Sequence, residues 1–353
     1  MRIGLIAPPW LPVPPPAYGG TEAIVDLLAR GLVHAGHEVV LAATADSTCP
    51  VPRVPGMYPA LEGATMCGAS LGELRHIVTG YAAMATVDVI HDHTVGGPLY
   101  GCLRRDAPLV TTNHGPFETS LLSFYRSFRD VAVVAISQHQ AAMAPQVPIA
   151  AVIHHGIDVG AVPVGRGDGG YAAFLGRMSP VKGPRQAALV ARAAGVPLRM
   201  AAKVREPAER AYYEAAVKPL LCSDVEYVGE LGPREKLELL GGAVALVNPL
   251  QWDEPFGLVM VESLAAGTPV VGTQAGSAPE IVDDGTTGYL RHGLRPLADA
   301  LLAATALRRG ACRAAAVGRF TAERMVAEHI RLYTDLLGGL AEPAGAVHAA
   351  RAG

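Results

Sequence analysis

Short β-branched apolar runs alternate along the chain with longer segments rich in Ala and Leu at helical period, the order that builds a parallel α/β sheet. In the first half these runs predict strands over residues 2–7, 38–43, 87–91, 109–112, 131–136 and 151–154. A helix over residues 21–35 follows the first loop, with Thr21 placed to cap it and Gly36 to end it. From Asp158 to Gly170 (DVGAVPVGRGDGG) the periodicity vanishes and glycine accumulates, which marks a domain boundary. The alternation then restarts, with strands expected over 171–175, 198–202, 225–228, 243–248 and 269–272. A restart means two doubly wound α/β units rather than one long sheet: residues 1–165, then 166–340, with a final helix over 321–337 free to cross back onto the first unit. Residues 341–353 read as a flexible tail.

Composition narrows the picture. Of 353 residues half are hydrophobic and 17% are charged, enough apolar material for two cores and too much for wholesale disorder. A net charge of -3 gives no reason to expect nucleic acid or an anionic membrane as partner. The cysteines (Cys49, Cys67, Cys102, Cys222, Cys312) are dispersed, without metal-ligand spacing, as suits reduced thiols in a cytoplasm. Met1-Arg2 runs straight into a short apolar strand that soon meets prolines, so no secretory leader is expected. The longest uncharged stretch, residues 131–157, is broken by Gln138, Gln140, Pro145, Gln146 and Pro148 and is no membrane span.

Ligands of open α/β sheets sit at the carboxyl ends of the strands, so chemistry is sought there. After the first strand a Pro-rich loop ends in Tyr18-Gly19-Gly20-Thr21-Glu22 at the start of a helix. The paired glycines let backbone N–H groups approach an anion, or simply form a tight turn. No G-x-G-x-x-G follows, which argues against a dinucleotide cofactor. After the strand over 109–112 come Asn113-His114-Gly115; His114 is placed to donate to a ligand or to serve the core. His91 and His93 lack a third ligand, so no metal site is assigned to them. After 171–175 comes Gly176-Arg177-Met178-Ser179-Pro180-Val181-Lys182-Gly183, two cations suited to a diphosphate or, as such residues often are, solvated.

The strongest signal follows the strand over 243–248. Pro255 is expected in a first helical turn, with Glu254 just outside it and the N–H groups of Phe256, Gly257 and Leu258 open to a phosphate. Glu262 sits among Leu258, Val261, Leu264 and Ala265 and needs a partner, either paired ribose hydroxyls or a nearby Arg or Lys.

These residues resemble the retaining glycosyltransferases of family 4, of GT-B fold. The resemblance runs over nearly the whole chain, through Y-G-G-T-E, Asp88-Val89-Ile90-His91, Asn113-His114-Gly115, Gly156-Ile157-Asp158, G-R-M-S-P-V-K-G, A-A-G-T-P-V-V, Pro279-Glu280 and the E-x7-E element formed by Glu254 and Glu262. It implies that Arg177 and Lys182 bind a nucleotide-sugar diphosphate, Glu262 the ribose, and Glu254 the transferred sugar's hydroxyls. His114 would contact that sugar near its 6-position, and Gly19 and Gly20 would approach the phosphate from the other unit. It also implies transfer of a hexose from a UDP-, GDP- or ADP-sugar to a sugar, lipid or small-molecule acceptor, with no metal and no further cofactor; the chain has no D-x-D pair. Two departures stand out: His155 where many members carry Asn, and Ala202-Lys203-Val204 in place of a Gly-rich turn, which makes Lys203 a candidate at the nucleobase. A non-catalytic sugar-nucleotide binder and a GT-B epimerase are the rival readings. Phe117, Phe124, Tyr125 and Phe128 are spaced for an acceptor groove or, more simply, for core packing.

Overall fold

All five residues of the run Val131–Ala135 are buried, as a strand covered on both faces requires, and this sets the character of the whole sheet. The computed structural model describes residues 1–61, 66–103, 107–128 and 130–341. Its first sheet contains β1 (Arg2–Ile6), β2 (Glu38–Ala42), β3 (Val89–Asp92), β4 (Leu109–Thr112), β5 (Val131–Ala135) and β6 (Ile149–Val152), all parallel, in the order β2-β1-β3-β4-β5-β6. The second contains β7 (Ala172–Arg177), β8 (Leu198–Lys203), β9 (Val225–Gly229), β10 (Leu246–Asn248), β11 (Val270–Gly272) and β12 (Gly288–Leu290), again parallel, in the order β12-β11-β10-β7-β8-β9. Strand order reverses between β1 and β3 and between β7 and β10, and each reversal opens a crevice beyond the strand ends. This is the GT-B arrangement of two Rossmann-like units.

Three local expectations are corrected. β12 is absent from the sequence reading because three residues, Gly288-Tyr289-Leu290, carry no detectable period. β6 lies two residues upstream of its expected start, where the pairing register with β5 shifts between Val133 and Val134. The first helix spans Gly20–His34 and is capped by Gly19, whose carbonyl accepts from Ala23 N at 3.1 Å, so Thr21 falls inside the first turn. Gly36 does follow the helix end in the left-handed region. Phe117, Tyr125 and Phe128 are buried together in the first unit's core, the simpler of the two readings of those aromatics. Cys49, Cys102, Cys222 and Cys312 are free thiols, and no helix among the described residues is long and apolar enough to cross a membrane.

The glycine-rich connection is fastened down. Gly165, Gly167 and Gly169 donate their N–H groups to the carbonyls of Ala266, Gly241 and Gly242. Arg309 spreads its guanidinium over the carbonyls of Gly165, Gly241, Ala243 and Ala266 and the Thr268 hydroxyl. The passage between units is therefore upstream, where Ile157 N donates to Phe320 O and Ala322 N donates to Ile157 O, both at 2.9 Å. Beside it Glu280 of the second unit accepts the N–H groups of Gln138 and His139 and pairs with His154 at 2.6 Å.

The last helix, Ala322–Ala341, lies on the first unit, with Met325, Val326 and Tyr333 in that unit's core. Tyr333 Oη is 2.6 Å from His91 Nδ1, and His91 Nε2 is 2.8 Å from Thr112 Oγ1. The His329 ring lies tilted at 5.2 Å from the His91 ring, and burial pushes its pKa down to about 4. At Gly31 the first helix lies tight against the last: a Cβ there would lie 2.4 Å from Val326 Cγ2.

Two expectations follow from this packing. Gly31→Ala improves helix propensity but overpacks the contact, so a net loss of about 1–3 kcal/mol is expected by urea unfolding, with Val326→Ala in the same chain recovering part of it. His329 binds its proton less readily folded than unfolded, so stability falls as pH drops from about 6.5 towards 4, at up to about 1.4 kcal/mol per pH unit for this one side chain. In His329→Gln the pH dependence of the unfolding midpoint should be shallower across that window; an unchanged slope would disprove the assignment.

Candidate functional site

Between the carboxyl edges of the two sheets lies a cleft of about 1210 Å³. Gly19, Gly20 and His114 line it from the first unit; Arg177, Lys182, Glu254, Phe256, Gly257, Leu258 and Glu262 line it from the second. The structure thus brings every candidate residue to one place.

Arg177 is the last residue of β7, and its guanidinium has no ion pair among the described residues; its buried Nε has no partner. Lys182 closes the 3-10 turn Pro180–Lys182. Gly183 follows at φ 74, where a Cβ would strike the Pro249 carbonyl oxygen at 2.1 Å, so only glycine lets this turn lie against the loop after β10. Lys182 is mostly buried and ion-paired to Glu254, whose Oε2 also accepts from Trp252 Nε1 at 2.9 Å.

The region of Glu254 differs from expectation. Pro255 is not in a first helical turn, because the helix spans Leu258–Ala265 and begins three residues later. Competing bonds hold the preceding segment as a loop: Ser277 N donates to Glu254 O at 3.0 Å, Gly276 N to Asp253 Oδ1 at 3.1 Å, and the Ser277 hydroxyl to Phe256 O. Gly257 caps the helix at φ 98, a left-handed geometry that favours glycine. The N–H groups of Leu258 and Val259, as its first two residues, have no helical acceptor and border the cleft, where an anion is favoured. One turn on, Glu262 pairs with Lys236 at 2.5 Å, the lysine alternative left open by the sequence.

His114 is held by two other histidines, with Nε2 2.9 Å from His93 Nδ1 and Nδ1 3.3 Å from His155 Nε2. Burial pushes its pKa down to about 3 and holds His93 and His155 well below the usual histidine range, so the row is neutral near pH 7. His155, the departure from the family's Asn, therefore touches a site residue directly. Lys203 borders the cleft but is engaged by Glu206 at 2.6 Å and Glu209 at 3.4 Å.

Several lining residues carried no recognisable sequence signal. Lys236 reaches its glutamate from a position with no strand-end pattern, and Trp252, in the segment after the strand over 243–248, had no role read for it. Across the mouth, Tyr18 N donates to Glu230 Oε1 at 3.2 Å while Arg205 grips both oxygens of that carboxylate at 2.9 and 2.8 Å. Glu22 stands in the quoted Y-G-G-T-E motif, yet nothing in the pattern gave it a role; it is buried, and that burial pushes its pKa up to about 7.

Comparison with known proteins agrees with this geometry. Residues 18–161 match the model of Glycosyltransferase Family 4, and residues 164–301 that of Glycosyl transferases group 1. A phosphatidyl-myo-inositol mannosyltransferase of Mycolicibacterium smegmatis is 29% identical over 322 residues, 82% of this chain and 80% of that enzyme. The crystal structure of AviGT4, a glycosyltransferase involved in avilamycin A biosynthesis, superposes with a TM-score of 0.72 at 28% identity, covering 96% of this chain and 98% of that one. A sucrose-phosphate synthase from Thermosynechococcus elongatus shares the fold at a TM-score of 0.79 and 20% identity, over 96% of this chain and 100% of the other. Two adjoining family models, which together run from residue 18 to residue 301, and a fold shared over almost the full length make the chain a glycosyltransferase of family 4.

Proposed function

We propose that this enzyme moves a hexosyl group from a nucleoside-diphosphate sugar to an acceptor hydroxyl, with retention at the anomeric carbon and without a metal ion. The observation that carries the reading is the pairing pattern in the cleft: the Arg177 guanidinium, with its buried Nε unpartnered, and a lysine already matched to the glutamate expected to hold the sugar. An arriving diphosphate competes for Lys182. As the lysine turns to phosphate, the Glu254 carboxylate is released to accept hydrogen bonds from sugar hydroxyls, with Trp252 still holding one oxygen in place. Lys236 and Glu262 stand in the same relation one helical turn away, where the ribose would lie.

Breaking the bond from sugar to diphosphate develops negative charge on phosphate and positive charge on the ring. Arg177, Lys182 and the N–H groups at Leu258 and Val259 are fixed donors for the first, in a cleft shielded by both units. Retention fits an acceptor that attacks from the face the diphosphate leaves, with a donor phosphate oxygen taking its proton. His114, neutral and bonded on both ring nitrogens, acts as a fixed dipole near the sugar rather than as a titrating acid or base. UDP-glucose is the first donor to try, because a structural neighbour of 19% identity, Anabaena HepE, is known in complex with it; GDP- and ADP-sugars complete the trial. Free thiols suit a reducing cytoplasm as the site of action.

Thermal-shift screening with UDP-, GDP- and ADP-hexoses should single out one nucleotide, and NMR of the product should show the donor's anomeric configuration. Inversion, or tight binding with no consumption of any sugar nucleotide, would overturn the proposal. Arg177→Ala should lower turnover by about 10²–10³-fold, and adding Lys182→Ala should lower it further. Undiminished turnover in the double variant would refute the role given to these cations.

A further inference from the structure

Glu22 is the third residue of the helix Gly20–His34, on the first-unit wall of the cleft, and only 5% of its surface is exposed. Its carboxylate receives a hydrogen bond from its own backbone N–H and from no other described residue. The contrast with its neighbours is sharp. Glu206 pairs with Lys203, Glu230 with Arg205, Glu254 with Lys182 and Glu262 with Lys236. Among the described residues Glu22 is the one carboxylate lining the cleft without a cation. Burying such a group without a partner is unfavourable, and burial lifts its pKa to about 7. A ligand that brings hydrogen-bond donors would relieve it.

Position identifies which ligand. A Cβ at Gly20 would lie 3.4 Å from Leu258 Cδ1, so the start of this helix meets the start of the helix assigned to the donor phosphate. Glu22, two residues further along the same helix, thus lines the cleft from the opposite unit to Glu254 and Glu262. On the same wall the Trp10 indole is 36% exposed, an apolar plate of the kind that takes the C–H face of a sugar ring. Resting on the transferase reading above, we propose that Glu22 is an acceptor-binding residue, its carboxylate taking hydrogen bonds from hydroxyls of a ring polyol that packs on Trp10.

The test uses the full chain with the sugar nucleotide found by screening, and methyl α-D-glucopyranoside, methyl α-D-mannopyranoside and myo-inositol as acceptor probes. Glu22→Ala should raise the KM of the best acceptor about tenfold or more, since hydrogen bonds to a charged group are among the stronger ones. The isosteric Glu22→Gln should fall between, and Trp10→Ala should raise the same KM, while the dissociation constant for the nucleotide moves less than about twofold. An unchanged acceptor KM in Glu22→Ala, or a nucleotide constant that rises in step with it, overturns the proposal in favour of a purely structural carboxyl. Failure of the transferase reading shows separately, as wild-type protein that consumes no sugar nucleotide. In that event saturation-transfer NMR of the three polyols with wild type and Glu22→Gln still decides: a signal lost only in the variant supports the subsite, and equal or absent signals in both overturn it.

Discussion

A carboxylate removed from water must be matched by a cation or by hydrogen-bond donors, and the cleft of this enzyme is organised around that requirement. Lys182 with Glu254 and Lys236 with Glu262 are not stabilising ornaments; mostly buried pairs of this kind gain little net energy over apolar packing. Their value is positional. Each keeps a carboxylate aimed while leaving it exchangeable, because a phosphate or a hydroxyl can replace either partner without leaving the other bare. The loop from Asp253 to Phe256 serves the same end: backbone bonds to Ser277 and Gly276 hold Glu254 outside the helix, where its side chain meets Lys182 and Trp252.

The opposite wall uses a different principle. His93, His114 and His155 are bonded in a row, with His91 and His329 packed behind them, and burial keeps the set uncharged. A row of neutral imidazoles has one N–H each, so its bonds must all point the same way. Orientation of His114 is thereby tied to residues in the core, and through Tyr333 and His329 to the helix that returns from the second unit. The site's first-unit wall and the chain's last helix are one packed body.

Much of this was legible in the sequence, for identifiable reasons. Alternation of β-branched runs with helical segments locates parallel strands because buried strands are uniformly apolar, and strand ends locate ligands, so Gly19, His114, Arg177 and Glu254 all fell at informative places. The fold class and the family could both be read. What escaped were properties of distance. Lys236 meets Glu262 only after two helices pack, Trp252 reaches Glu254 only because the helix starts late, and Glu22 is conspicuous only by the partner it does not have. Pro255 misled because proline's suitability for a first turn is a local preference, which tertiary hydrogen bonds at Ser277 outweighed. His155 stood out only as a departure from the family's Asn, since nothing in one dimension shows that its ring abuts His114.

The double crossing at Ile157 has a mechanical meaning. Outgoing and returning strands of the polypeptide are stitched to each other there by a reciprocal couple of amide bonds, and Glu280 pins the same flank to Gln138 and His139. Such a joint ties the two units through both passages of the chain at once, like a rivet through two plates. At the opposite side of the cleft the two units meet again, through the Tyr18 amide on Glu230 and the Lys203 ammonium over the Tyr18 ring, so the walls of the site are tied by polar contacts at the rim as well as by the paired chain crossing.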